Sequence, residues 1–199
     1  MGSPILKFID KNKFILDTIC QFMYDSIDII ARYSMPSKSQ IINGRKAFVE
    51  LKFGPNWSYI STVRNFIINF LAITLVDKKR ADHIAMAVNE LVENAIKYSD
   101  RDGIDINLEV FRNKKDDTIK VMVCNHAKKN EVETLKKILT EINSEPPLEA
   151  FMKRMKDSAI AECKKSNIGL ARVRYESNAK ISADYENGFV KVFAEFDEK

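Results

Sequence analysis

One short segment carries side chains whose types and spacing suit polyphosphate chemistry. Residues 87–99 read AVNELVENAIKYS, and Glu90, Asn94 and Lys97 within them are four and three positions apart. Residues at these spacings share one face of a helix. The amide oxygen of Asn94 can ligate Mg²⁺, the ammonium of Lys97 can contact phosphate, and the carboxylate of Glu90 can accept a proton from a hydroxyl. These three residues predict a site for a metal–polyphosphate ligand. A row of polar residues of this kind is also common on helix faces that only contact water.

The elements that must hold this segment follow from apolar periodicity. They are, in chain order, a strand at 45–53, helices at 58–75 and 79–98, strands at 104–111 and 118–124, a helix at 169–177 and a hairpin at 180–196. The hairpin turn is expected at residues 186–188, where Asn-Gly is typical of a two-residue turn. This order predicts an α+β fold, a two-layer sandwich in which a mostly antiparallel mixed sheet has helices on one face.

A charged helical insert is predicted at residues 128–165, between the strands and the last helix. Its two short helices, at 131–142 and 148–155, are separated by two consecutive prolines. Asn130, with a glutamate three places later, is an N-cap signature. Short helices are marginally stable alone, so we expect both to need a surface to pack on.

The N-terminal part of the chain predicts a separate element. Apolar residues at helical spacing indicate a helix at residues 12–33, and the polar, proline-containing stretch 34–39 ends it. We therefore predict an N-terminal helical extension at 1–44 and a main domain at 45–199. The helix either packs on its own domain or mediates dimerisation or partner docking, and the pattern leaves these alternatives open.

Composition excludes several classes of function. The 199 residues are 45% hydrophobic with a net charge of +4, and the charges are interspersed, which argues against nucleic acid as a partner. The most apolar stretch, residues 63–76, contains an arginine and two asparagines and is too short to span a bilayer. No signal peptide opens the sequence, so a cytoplasmic protein without membrane contact is expected.

The cysteines and histidines do not form a metal-binding pattern. Cys20, Cys124 and Cys163 are widely spaced, and only His83 and His126 could complement them. These spacings argue against zinc, and reduced thiols are expected.

Residues 87–99 resemble the N box of the histidine kinase-like (GHKL, Bergerat-fold) ATPase superfamily, which includes gyrase and the histidine kinases. The string NELVENAIKYS matches that box at Glu90, Asn94, Ala95, Lys97 and Tyr98. The resemblance implies the fold of that superfamily, with ATP and Mg²⁺ as ligands. It implies that Asn94 binds Mg²⁺, that Glu90 orients or activates the nucleophile, and that Lys97 approaches phosphate.

Two further boxes of the superfamily are matched in part. The Asp-x-Gly-x-Gly box that holds adenine corresponds to residues 123–127, where Asn125 replaces the aspartate and both glycines are missing. The Gly-x-Gly-Leu box corresponds to residues 166–170, where Gly169 and Leu170 remain. The resemblance implies that Asn125 contacts adenine and that Gly169 and Leu170 hold phosphate at a helix start. The insert at 128–165 then lies where this fold carries its ATP lid.

The chain is further similar to a bacterial subgroup of these ATPases, the SiaB-like and anti-sigma-factor serine kinase regulators, which act with partners of the STAS fold. The similarity rests on Asn125, on the sequence that follows it and on the helical insert. Neither His83 nor His126 has the sequence context of a phospho-acceptor, which disfavours a conventional histidine kinase. The resemblance implies a bacterial serine/threonine protein kinase in partner switching.

An alternative of another class is a protein-binding module of the same fold that has lost ATP binding. The matched N box favours the kinase, and the missing glycines favour the module. A sigma factor as second partner and a homodimer both stay open.

Overall fold

The structure is a computed structural model that describes residues 30–31, 47–75, 77–100, 106–113, 118–160 and 168–197. Its strands are β1 (Ile30–Ala31), β2 (Ala47–Phe53), β3 (Ile106–Asn113), β4 (Thr118–His126), β5 (Lys180–Glu186) and β6 (Phe189–Phe196). Its helices are α1 (Tyr59–Thr74), α2 (Lys78–Tyr98), α3 (Lys129–Ser144), α4 (Pro147–Ile160) and α5 (Ile168–Ser177). The predicted α+β class is confirmed.

The described strands form one sheet in the order β1-β2-β3-β4-β6-β5, and each described pair is antiparallel. Leu51, Leu108, Val123 and Val192 occupy one row across four strands. The first three are buried, and the helices pack over this face to form the core. The core therefore lies between a sheet and a single layer of helices, as predicted for this fold.

Helix α2 is the central helix, and it contacts α1, α5 and the sheet. Asp77 caps its start, because Oδ1 accepts a hydrogen bond of 2.9 Å from the backbone N–H of Lys79. Ile84, Val88 and Leu91 are buried at helical spacing on its sheet side. This burial fixes the rotation of α2 about its axis, and so it fixes where the polar strip that contains Asn94 points.

The closing hairpin has the predicted turn. Asn187 and Gly188 have φ of 53° and 86°, the two positive values that a two-residue type I′ turn requires.

Two other predictions of local structure, the start of α3 and the N-terminal helix, were wrong. Helix α3 begins at Lys129, and its N-cap is Lys128, which makes no side-chain cap bond, so Asn130 lies inside the first turn.

The second error concerns the predicted helix at 12–33. Ile30 and Ala31 form an edge strand that pairs with Lys52 and Leu51 of β2, so the helix does not extend through these two residues. The rest of that segment lies outside the described residues. Among the described helices, none has the length and apolar character needed to cross a bilayer.

Candidate functional site

A cavity of about 250 Å³ opens between α2, the end of β4, α3 and the start of α5. Asn94 of α2, Asn125 of β4, and Gly169 and Leu170 of α5 line it together with apolar side chains. These four residues are far apart in the sequence, and the packing of α2 and α5 against β4 brings them to one place. The cavity is slightly smaller than the roughly 300–1,000 Å³ of typical small-molecule sites.

Glu90 and Lys97, the other two residues singled out by the sequence, lie outside the lining of this cavity. Lys97 is exposed, and its Nζ lies 5.3 Å from the centre of the Tyr98 ring. Tyr98 itself lines the cavity. Lys97 is thus placed next to a residue that lines the cavity, and its exposed ammonium contacts that aromatic ring.

Glu90 lies one turn before Asn94, in the contact between α2 and α5. Its side chain is 20% exposed, and its Oε1 lies 3.7 Å from Nη1 of Arg172. Burial raises the pKa of the Glu90 carboxyl, and the neighbouring carboxylate of Glu93 raises it further. Arg172 lowers that pKa, and Glu176 opposes this with a smaller increase. Burial and Glu93 therefore make the Glu90 carboxylate a stronger proton acceptor, whereas Arg172 favours its ionised form.

Gly169 allows the Glu90 carboxylate to lie against the first turn of α5. A Cβ atom at position 169 would collide with Oε2 of Glu90, and the three atoms nearest to that Cβ all belong to Glu90. Any larger residue at this position must displace the carboxylate. A glycine that the sequence associates with phosphate therefore also controls the position of the candidate base.

Asn125 is 3% exposed at the end of β4, and its orientation is fixed by a hydrogen bond. Its Nδ2 donates to the backbone carbonyl of His126 over 3.1 Å. Because a carbonyl only accepts hydrogen bonds, the amide must direct its nitrogen to this partner, which leaves Oδ1 as the acceptor. An acceptor at this position suits an exocyclic amine such as that of adenine.

The ends of α2 and β4 are joined by a histidine–carboxylate contact that the sequence did not reveal. Nδ1 of His126 contacts Oδ1 of Asp100, just after α2, and the imidazole packs edge-on against Phe189 with centres 5.3 Å apart. His126 is 8% exposed. The contact joins the helix that carries Asn94 to the strand that carries Asn125, so His126 supports the site without lining it.

Polar residues of α3 also line the cavity, and the sequence analysis had not assigned them to the site. These are Asn130, Glu131 and Thr134. Thr134 Oγ1 donates to the backbone carbonyl of Asn130 over 2.9 Å. The spacing of Asn130 and Thr134, four positions apart beside the apolar stripe of α3, was visible in the sequence. The capping signature had suggested a different role for Asn130.

The oxygen groups present fit Mg²⁺ only together with phosphate. The described residues contain no group of three or more His, Cys, Asp or Glu side chains that could hold a metal ion. Mg²⁺ commonly takes one or two protein ligands plus substrate phosphate oxygens and water. The single amide oxygen of Asn94 therefore suits a metal that arrives with a nucleotide.

Comparisons with known proteins agree with this geometry. The family model of the histidine kinase-like ATPase domain matches residues 54–171, which is more than half of the chain. Among solved structures, a chain of the crystal structure of the SiaB–SiaC complex from Pseudomonas aeruginosa matches with a TM-score of 0.56 and 14% identity. The match covers 73% of this chain and 88% of that one. No curated protein matches significantly.

Proposed function

Because the chain belongs to the histidine kinase-like ATPase domain family, we propose that it is a bacterial cytoplasmic signalling regulator that uses ATP and Mg²⁺. Its proposed activity is that of an anti-sigma-type serine/threonine kinase in partner switching with a STAS-like protein. The observation that carries this proposal is one cavity lined by Asn94, Asn125 and Gly169, with Glu90 one helical turn away.

Each residue has a distinct proposed role. Asn125 accepts a hydrogen bond from the adenine amine through Oδ1, and Asn94 holds Mg²⁺ through its amide oxygen. The backbone N–H groups of Gly169 and Leu170, in the first turn of α5, would bind phosphate because a helix start attracts anions. Lys97, exposed beside Tyr98, adds a positive charge that approaches phosphate. When bound, ATP would supply the phosphoryl group, and Mg²⁺ would neutralise part of its charge.

Glu90 is the proposed general base. It would accept the proton of a serine or threonine hydroxyl of the partner as that oxygen bonds to the γ-phosphorus of ATP and the bond from that phosphorus to ADP breaks. Burial makes its carboxylate more basic than a solvent-exposed glutamate. The ion pair with Arg172 supports the ionised form that must be present before transfer.

A protein partner is supported by an exposed apolar stripe on α4. Leu148, Met152 and Met155 are 52%, 45% and 44% exposed on neighbouring turns, and Tyr175 of α5 is 45% exposed. Tyr175 stacks on Phe151 of α4 at 5.2 Å between ring centres. Methionine-rich stripes of this kind adapt readily to protein partners. A protein partner also agrees with the similarity to a structure in which SiaB is complexed with SiaC.

The second candidate function is a protein-binding module without ATP chemistry. Ala127 favours it, because this residue lines the cavity at 3% exposure where the superfamily carries a glycine. A methyl group there occupies space that a ligand could otherwise approach. Under this alternative the partner binds equally well in the presence and absence of nucleotide.

The experiment is phosphotransfer from labelled ATP to a STAS-like partner by the parent and by Glu90→Gln. Loss of a general base lowers the rate by about a hundredfold or more, while partner binding should remain. Glu133→Gln, on the exposed side of α3, is the matched control and should retain the parental rate. A parent that binds the partner without any phosphotransfer would support the binding module, and full activity of Glu90→Gln would refute the role of the base.

A further inference from the structure

The residues of α3 that line the site cavity have no role in the proposed phosphotransfer. At the start of the helix the lining residues are polar, namely Asn130, Glu131 and Thr134. Further along, Leu135 and Ile138 make the lining apolar. Among the described residues around this cavity, Glu131 is the only one whose side chain carries a charge. Any ligand in the cavity must therefore accommodate this carboxylate.

The packing of α3 on the sheet keeps Glu131 in the cavity wall. Val132, the next residue, is 3% exposed and belongs to one apolar cluster with Ala127 and Val190 of β6. At the other end of the helix, Nδ2 of Asn143 donates to a backbone carbonyl of β5 over 3.0 Å. The helix is thus attached to the sheet at both ends, and its first turn lies beside the end of β4.

The polar groups of this wall offer hydrogen-bond acceptors. An ionised carboxylate only accepts hydrogen bonds, and each of its two oxygens can take one. Oγ1 of Thr134 donates to the backbone carbonyl of Asn130 over 2.9 Å. Because that carbonyl only accepts, the hydroxyl proton of Thr134 is used there, and Oγ1 presents its lone pairs to other partners. The ligand group that matches this wall carries hydrogen-bond donors.

This wall does not suit the phosphates of a nucleotide. Phosphate oxygens are negatively charged and accept hydrogen bonds, so the carboxylate of Glu131 would repel them and would offer them no donor. The phosphates instead fit Asn94 and the start of α5. The ribose joins the base to the phosphates, and its 2′ and 3′ hydroxyls are two neighbouring donors. Carboxylates pair with ribose hydroxyls in other nucleotide-binding folds.

We propose that Glu131 forms a ribose subsite, in which its two carboxylate oxygens accept hydrogen bonds from the 2′ and 3′ hydroxyls of the nucleotide. This inference rests on the proposed nucleotide site, and it adds a selection of ribonucleotides over deoxyribonucleotides. The ligand then lies with its base at Asn125, its sugar at α3 and its phosphates at Asn94 and α5. A site that hydrogen-bonds a substrate hydroxyl discriminates against an analogue without it, because the protein group then loses that partner.

Calorimetric titration of the full chain with ATP, 2′-deoxy-ATP and 3′-deoxy-ATP, each with Mg²⁺, tests this subsite. Each analogue lacks one hydrogen bond to a charged group, and we expect the parent to bind it about tenfold more weakly than ATP. Glu131→Ala should bind the three nucleotides with equal affinity. Glu133→Ala is the matched control, because Glu133 is exposed on the same helix and lies outside the cavity lining. This control should keep the parental preference for ATP.

The outcomes separate the ribose subsite from the nucleotide site. Equal affinities of the parent for ATP and both analogues would overturn the subsite and leave the proposed function intact. A parental preference for ATP that persists in Glu131→Ala would assign the hydroxyls to another group and would also overturn it. A parent that binds none of the three nucleotides would contradict the nucleotide site itself, and the subsite with it. If Glu131→Ala changes the circular dichroism, Glu131→Gln replaces it and should show a smaller preference for ATP than the parent, because a neutral acceptor makes weaker hydrogen bonds.

Discussion

The substitution Gly169→Ala should separate activity from stability. The added methyl group takes the place of Oε2 of Glu90, and the nearest atoms that it meets all belong to that carboxyl group. The end of a glutamate side chain can rotate away without moving the backbone. We therefore expect the fold to accept the methyl group while the candidate base loses its position.

Two opposing terms set the change in stability. Replacing glycine by alanine in a helix stabilises it by at most about 1 kcal/mol. Forcing the Glu90 side chain away from its preferred conformation costs about 0.5–1.5 kcal/mol. The free energy of unfolding should thus stay within about 1 kcal/mol of the parent, or about 2–4 °C in Tm for a chain of this size.

The change in activity should be much larger. A displacement of about 1 Å at a reacting group can lower the rate about a hundredfold. That factor corresponds to about 2.7 kcal/mol of transition-state stabilisation. Loss of phosphotransfer with a retained Tm would show that Gly169 serves the candidate site and not the stability of α5.

Phosphotransfer to the STAS-like partner and thermal unfolding are measured on the same preparations. Gly54→Ala is the matched control, because a Cβ at Gly54 meets no atom within 4 Å. It should change neither rate nor Tm appreciably. If Gly169→Ala transfers phosphate at the parental rate, the Glu90 carboxylate does not need its observed position, and the assignment of the base is wrong.

Three further outcomes are expected. Burial raises the pKa of Glu90, so the free energy of unfolding of the parent should fall as pH rises from the ordinary glutamate range through that raised pKa. Chemical denaturation at neutral pH should therefore find Glu90→Gln more stable than the parent, and a less stable variant would contradict this. Asn125→Asp sets a carboxylate against the carbonyl of His126 and should cost about 1–3 kcal/mol of stability, which thermal unfolding would detect; an unchanged Tm would exclude the assigned hydrogen bond. In hydrogen exchange, amides 131–155 should exchange faster than those of β3 and β4, and their exchange should become slower when nucleotide binds. Equal protection of the insert and the two strands would make the insert a fixed part of the core.

The sequence predicted those features that depend on local periodicity. Helix α2 has both a regular apolar stripe and a polar face, so its position and the direction of Asn94 were readable. The turn at Asn187 and Gly188 was readable because a type I′ turn needs two residues that tolerate positive φ. The short helices on either side of the two prolines could also be predicted from local sequence, because proline can begin a helix but cannot continue one.

Features that depend on distant contacts could not be read in this way. β1 has only two residues, and its strand conformation comes from pairing with β2, which no local pattern indicates. The contact of Glu90 with Arg172 joins residues 82 positions apart and exists only because α2 packs on α5. The capping signature at Asn130 was misleading because α3 starts earlier, and its first turn instead lines the cavity.

Calorimetric titration of the full chain with ATP in the presence and absence of Mg²⁺ tests the central claim most directly. We expect a saturable heat for the parent with Mg²⁺, and loss of the Mg²⁺-dependent affinity in Asn94→Ala with unchanged circular dichroism. Asn65→Ala, an exposed position of α1, should bind like the parent. A parent without saturable heat, or an Asn94→Ala chain that binds as tightly as the parent, would contradict the proposed nucleotide site.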